Sequence, residues 1–159
     1  MRLPFLGRWT CTIDGKRRLT MPAKVREILA QEEGPYLVTT VGHQGCLLLV
    51  PHAQWEELTP DLLRDTFQGD QGALRLRAAF ARYGNLSRLD GSGRITLTDE
   101  QMLVAGLDRQ AIVFGNFTRI EIWEPDRFEI ANPPITDQAE HDRLAAQYMG
   151  RVETREVRR

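Results

Sequence analysis

One short pattern occurs twice in this chain, and it constrains the fold more than any other feature. Ile13 is followed by Asp14-Gly-Lys-Arg-Arg18-Leu-Thr, and Leu89 by Asp90-Gly-Ser-Gly-Arg94-Ile-Thr, 76 positions later. Each copy runs apolar residue, Asp, three turn-type residues, Arg, then apolar-Thr-apolar. The likeness continues downstream: Tyr36-Leu-Val-Thr-Thr matches Ala111-Ile-Val-Phe-Gly, and Cys46-Leu-Leu-Leu-Val-Pro51 matches Ile120-Glu-Ile-Trp-Glu-Pro125. Two copies at this spacing imply a duplicated unit forming a pseudo-symmetric domain, since a solenoid needs three or more repeats. Two Arg-bearing turns in matching halves point to a binding surface rather than a single catalytic pocket.

The local pattern reads as α+β. Trp9–Ile13 is rich in β-branched and aromatic residues and predicts a strand, with a polar turn at Asp14–Arg17 and a second strand at Arg18–Met21. Pro22 stops that strand and suits the first turn of a helix over Ala23–Ala30, which Gly34-Pro35 breaks. Strands at Tyr36–Val41 and Cys46–Val50 flank the turn Gly42-His-Gln-Gly45. The second half repeats this order: strands at Leu86–Leu89 and Arg94–Leu97, a helix over Asp99–Ala105 ended by Gly106, and strands at Ala111–Asn116 and Arg119–Trp123. Thr98-Asp-Glu-Gln101 is a capping-box pattern. Between the halves, residues 52–82 read as helical: Thr59-Pro60 opens a turn, Leu62, Leu63 and Phe67 keep helical spacing, Gly69–Gly72 breaks it, and Ala73–Tyr83 resumes. After Trp123 the chain is expected to turn through Pro125. A last helix begins at Asp137, where Asp-x-x-Glu140 resembles another capping box.

Composition narrows the function classes. The net charge of −1 argues against an indiscriminate polyanion binder, yet residues 1–28 carry seven Lys or Arg against Asp14 and Glu27. Residues 73–94 carry five Arg against Asp90, whereas residues 99–142 are acidic. Both basic stretches include the repeated motif, a clustering that fits equally a phosphate-binding surface or a solvated charged face. No apolar run approaches a membrane span, and the N-terminus lacks a signal-peptide pattern, so a cytoplasmic protein without a membrane partner is expected. Cys11 and Cys46 sit in apolar or β-like runs and read as buried reduced thiols. His43, Cys46 and His52 invite a metal site, but no fourth ligand has the proper spacing, so neither metal nor cofactor is expected. Gly91-Ser-Gly93 lacks the strand-to-helix setting of a phosphate loop, and Ser87 and Ser92 have no nearby His. An enzyme is not expected.

These residues carry a family resemblance. Phe5-Leu-Gly7, both Asp-x-x-x-Arg turns, Gly45-Cys-Leu-Leu-Leu-Val-Pro51 with Trp55 after it, and Phe117-x-x-Ile-Glu-Ile-Trp123 resemble the MraZ family, over roughly residues 5–130. That family regulates transcription of the bacterial division and cell-wall gene cluster and is built from two AbrB-like (SpoVT-type) halves. The resemblance implies a swapped-hairpin β-barrel made within one chain, with helices between and after the halves. It divides the chain into a first half at 5–52, a helical connector at 53–82, a second half at 83–130, and a C-terminal helix and tail at 131–159. It further implies a homo-oligomeric, octamer-like ring, association with the nucleoid, and repression of its own operon through short direct repeats in double-stranded promoter DNA. The DNA-binding residues expected on this resemblance are the motif arginines Arg18 and Arg94, Lys16 and Arg17 on the first-half turn, and Arg8 and Arg88 flanking. Asp14, Asp90 and Gly93 support the turns.

Two departures from the family pattern matter. Arg17 stands where Gly usually precedes the motif Arg, as Gly93 does in the second half, and a side chain at positive φ costs about 1 kcal/mol. Thr98 stands where the family keeps proline, and the capping-box pattern supplies another way to start the helix. The competing reading is an AbrB-like protein–protein module, an antitoxin or scaffold, in which each Asp–Arg pair only staples its hairpin. Trp55, Leu58, Leu62, Leu63 and Phe67 would then face a protein partner.

Overall fold

A computed structural model describes residues 2–60 and 70–149, apart from the side chain of Leu58. Leu62, Leu63 and Phe67 lie outside the described residues. The chain divides into two compact units, Met1–Phe128 and Glu129–Arg159.

Among the described residues, eight strands organise the first unit: β1 (Phe5–Thr12), β2 (Arg18–Thr20), β3 (Leu37–Val41), β4 (Leu47–Pro51), β5 (Asn85–Ser87), β6 (Arg94–Thr96), β7 (Gln110–Phe117) and β8 (Arg119–Trp123). Six of them form one antiparallel sheet in the order β1-β7-β8-β4-β3-β5, and β2 pairs with β6 in a separate ribbon. The pairings cross between the halves. β1 runs against β7 from Phe5 opposite Phe117 to Thr12 opposite Gln110, β5 runs against β3, and β2 runs against β6. Where the halves meet in the large sheet, Leu48 of β4 lies opposite Glu121 of β8. The described strands thus give an α+β fold with a mainly antiparallel sheet and a separate two-stranded ribbon.

The core follows from strand alternation. On the ribbon Leu19 and Ile95 point inward, while Thr20 and Thr96 face water. Leu19 pairs directly with Ile95, its counterpart 76 positions on, so the ribbon's midpoint is the pseudo-symmetry point of the two motifs. Leu47, Leu49, Ile120 and Ile122 bury the facing side of β4 and β8.

The helices show which local signals act. In α1 (Ala23–Leu29), Pro22 takes the N-cap position rather than the first helical one, and Val25, Ile28 and Leu29 are buried at spacings of three and four. α2 (His52–Leu58) follows β4 without a break. α3 (Gln71–Tyr83) starts earlier than its sequence predicts, because the Asp70 carboxylate accepts the Ala73 N–H and holds Gly72 inside the helix. α4 (Asp99–Val104) has the full Thr98–Gln101 capping box. Its end is a Schellman closure: Gly106 at φ +65° donates to Leu103 O, and Leu107 N to Met102 O. The expected turn at Pro125 is instead the start of α5 (Pro125–Ala131). The Glu124 carboxylate accepts the Asp126 and Arg127 amides, leaving Pro125 in the first helical position, where its missing N–H goes unneeded. In the second unit, α6 (Gln138–Tyr148) is capped by Asp137 as expected, but the carboxylate accepts from Ala139 N rather than from Glu140. No described helix is long and apolar enough to cross a membrane.

Candidate nucleic-acid interface

The two Asp-x-x-x-Arg segments fold alike. In the first, Asp14 N donates to Arg18 O at 3.0 Å and Arg17 N to Asp14 O at 3.0 Å, which closes a three-residue hairpin loop. In the second, Asp90 N donates to Arg94 O at 2.9 Å and Gly93 N to Asp90 O at 3.0 Å. Such a loop ends with a residue in the left-handed region, and Arg17 (φ +62°) and Gly93 (φ +74°) occupy it. The aspartate holds the loop from inside. Asp14 Oδ1 accepts from Lys16 N and Arg18 N, both at 2.9 Å, and Asp90 Oδ1 accepts from Ser92 N and Arg94 N at the same distances. The second carboxylate oxygen takes the arginine: Arg18 Nε donates to Asp14 Oδ2 at 2.6 Å and Arg94 Nε to Asp90 Oδ2 at 2.9 Å. The intramolecular ion pair of the competing reading is thus present in both halves. Only Nε is used in each of these pairs. Arg94 Nη1 also lies 3.9 Å from Asp14 Oδ2, and among the described residues the Arg18 side chain bonds Asp14 alone.

The ribbon sets the turns side by side. Each loop also receives a backbone bond from the other half: Met21 N donates to Gly93 O at 3.0 Å, and Leu97 N to Arg17 O at 2.9 Å. At the left-handed position the halves differ. Arg17 turns its guanidinium toward the second half, where Nε donates to Leu97 O at 3.0 Å and Nη1 lies 3.1 Å from Asp99 Oδ1. Gly93 instead leaves room for the Arg26 side chain, which a Cβ there would overlap. Arg17 is therefore placed to tie its turn to the start of α4, a role its sequence position did not reveal because its partners are 80 residues away or more.

The other expected site residues separate into two places. Lys16 is exposed on the turn, and Arg88 stands next to the second turn with its guanidinium 5.2 Å from the Tyr36 ring centre. Arg8 lies within β1, opposite Phe114, with its guanidinium 5.2 Å from the Phe128 ring centre. Cys11 and Cys46 are free thiols, Cys46 buried and Cys11 half-buried.

The aspartate of each motif carries a pH signature. The Arg18 backbone N–H, then its guanidinium and the Lys16 N–H, hold the Asp14 carboxyl down at about 2 against an ordinary 3.8. Asp90 is lowered by the matching Arg94 and Ser92 bonds. A carboxylate lowered in the folded state adds stability that is fully present above its unfolded value and is lost as pH falls through its folded one. Stability should therefore fall from about pH 4 toward about pH 2 on this account. Chemical denaturation across that range should show Asp14→Asn with a shallower acid limb than the parent, and an unchanged limb would remove Asp14 from the acid response.

Arg17 offers a second check. Arg17→Ala keeps the left-handed strain and loses both contacts, whereas Arg17→Gly loses the contacts but relieves the strain. Gly should be more stable than Ala by about 1 kcal/mol in urea denaturation. Equal stabilities would mean the loop adopts another conformation when the Arg17 side chain is removed.

Comparison with known proteins adds an independent line. The family model described as "MraZ protein, putative antitoxin-like" matches residues 5–76 and 84–144, beyond the motif resemblance that ends near residue 130. The transcriptional regulator MraZ of Thermomicrobium roseum is 36% identical over 124 residues, covering 78% of this chain and 84% of the relative. That of Saccharopolyspora erythraea is 34% identical over 125 residues, covering 79% and 84%, and that of Alkalilimnicola ehrlichii is 30% identical over 139 residues, covering 87% and 92%. With a family model spanning both halves and relatives matched over most of their length, this chain belongs to the MraZ family.

Proposed function

We propose that this chain is a sequence-specific DNA-binding transcriptional regulator that reads short direct promoter repeats through its paired turns and represses its own operon. The observation that carries the reading is the antiparallel β2–β6 ribbon, which brings two arginine turns from different halves next to each other. Lys16, Arg18 and Arg94 are the contacting cations in this reading, Arg88 adds charge beside the second turn, and Arg17 positions the first turn. An arginine held through Nε by an aspartate presents its η nitrogens in a fixed orientation, the arrangement suited to a phosphate or a guanine edge. The relatives' name, transcriptional regulator, supports the same class.

The cross-pairing of β1 with β7, β5 with β3 and β2 with β6 supports a swapped-hairpin barrel whose two sheets are its sides. The exposed apolar residues Leu3, Leu6 and Phe117 support assembly of copies into a ring. In such a ring successive subunits meet successive repeats, so modest contacts add through multivalency.

The test is fluorescence anisotropy on DNA from upstream of the chain's own gene, against a scrambled duplex, at low and moderate salt. Preference for the native duplex, with affinity falling steeply as salt rises, is the expected result. Equal binding to both duplexes would reduce the turns to hairpin staples and favour a protein-binding role.

A further inference from the structure

The sequence offers His43, Cys46 and His52 as metal ligands without a fourth; the fold leaves His52 out of the cluster and supplies Glu121. We infer that His43, Cys46 and Glu121 form a three-ligand site for a zinc-class divalent ion, on the large sheet and apart from the arginine turns. One donor atom from each lies within 4.8 Å of the other two.

The placement follows from a tight turn. His43–Gly45 forms one short 3-10 turn between β3 and β4, and Gln44 (φ +53°) and Gly45 (φ +85°) are both left-handed. The chain doubles back there, with Cys46 N donating to His43 O at 3.2 Å, which brings these two residues to the same spot. β8 lies against β4 with Glu121 opposite Leu48, so the third donor comes from the other half of the chain. His52, the other histidine considered from sequence, is exposed on α2 and outside this cluster.

The chemistry suits zinc. Imidazole, thiolate and carboxylate are all zinc donors, and three protein ligands leave a fourth position for water. Glu121 and Cys46 are buried, whereas the His43 side chain is 43% exposed and gives an entry path. The carboxylate is held as metal-ligating carboxylates are. Trp123 Nε1 donates to Oε1 at 3.0 Å, Arg119 Nε to Oε2 at 2.8 Å, and Asn116 Nδ2 to Oε2 at 3.2 Å. His43 Nε2 stands 3.9 Å from Oε2, with its ring edge-on to Trp123. Zinc bonds of about 2.0–2.3 Å place ligand atoms roughly 3.5 Å apart, so closure falls mainly to the exposed His43. The Asn116 bond, the longest of the three, is the one an ion at Oε2 would replace. Arg119 is part-exposed and stays as the carboxylate's partner. On binding, the Cys46 S–H bond breaks, its electron pair forms the sulfur–metal bond, and the proton passes to buffer. The bound ion would pin the turn of the first half to β8 of the second.

The test uses full-length, tag-free protein stripped of metal. Zinc is titrated against a chromophoric chelator, cobalt serves as the spectroscopic probe, and thermal melting is followed with and without zinc. One equivalent should bind, cobalt should show a thiolate charge-transfer band, and zinc should raise Tm. His43→Ala and Cys46→Ser should each weaken binding more than about tenfold, since losing even an outer partner of a ligand costs about that much. Cys11→Ser and His52→Ala should leave binding intact. His43→Ala removes an exposed side chain, so its metal-free melting should match the parent and separate ligand loss from misfolding. No stoichiometric binding, or binding unmoved by His43→Ala and Cys46→Ser, would overturn the site. So would dependence on His52 or Cys11.

Discussion

Arg18→Ala is expected to remove the preference for promoter DNA while leaving the fold intact. One bidentate arginine contact to a base is worth about 1–3 kcal/mol, a loss of about 5- to 150-fold per site. In an oligomer that engages several repeats at once, that loss compounds until specific binding disappears. The structural consequence is smaller. The Asp14–Arg18 pair is at the surface, and Arg18→Ala spares the backbone N–H that Asp14 Oδ1 uses. Arg18→Lys should fail almost as badly, because a point charge cannot reproduce the planar fork. Arg94→Ala should weaken binding less, since the first turn adds Lys16 to its arginine whereas the second has Ser92 at that place. Anisotropy with matched thermal melts decides the matter. Wild-type affinity in Arg18→Ala sinks the contact, and a larger loss at Arg94 reverses the ranking of the turns.

Much of this molecule is legible where the physics is local. Asp14 and Asp90 mark loops whose amides they satisfy within four residues, and Thr98 caps α4 through Gln101 three residues on. Gly106 ends that helix because the position needs positive φ. Each signal lies within one turn of the chain, so sequence spacing carries it. What stays hidden depends on long-range pairing. That β2 meets β6, rather than a strand of its own half, cannot be read from alternation, which fixes faces but not partners. The same holds for Arg17, whose guanidinium reaches Leu97 and Asp99, and for Glu121, which joins His43 and Cys46 only through the β4–β8 pairing. The start of α5 is local yet ambiguous in sequence, because Glu124-Pro125 fits a turn as well as a helix start, and the Glu124 carboxylate decides between them by capping the helix.

The largest stability loss should come from Leu19→Ala, and it should disable both turns together. Leu19 and Ile95 are fully buried and lie opposite each other at the centre of a ribbon only three residues long on each side. Leu19 also bridges to Ile13, the residue that leads into the first loop. Truncating a buried leucine typically removes about 2–5 kcal/mol, from lost burial and the cavity left behind. A domain of ordinary stability has only about 5–15 kcal/mol in total, so the variant should unfold at markedly lower denaturant. Thr20→Ala, on the exposed face of the same strand, should change stability by less than about 0.5 kcal/mol. Because the β2–β6 pairing and the Met21–Gly93 and Leu97–Arg17 bonds join the halves, loosening Leu19 should also raise amide exchange at Arg94 and Thr96. Increased exchange confined to residues 13–21, with β6 still protected, would show the turns to be independent and remove the ribbon as their common support.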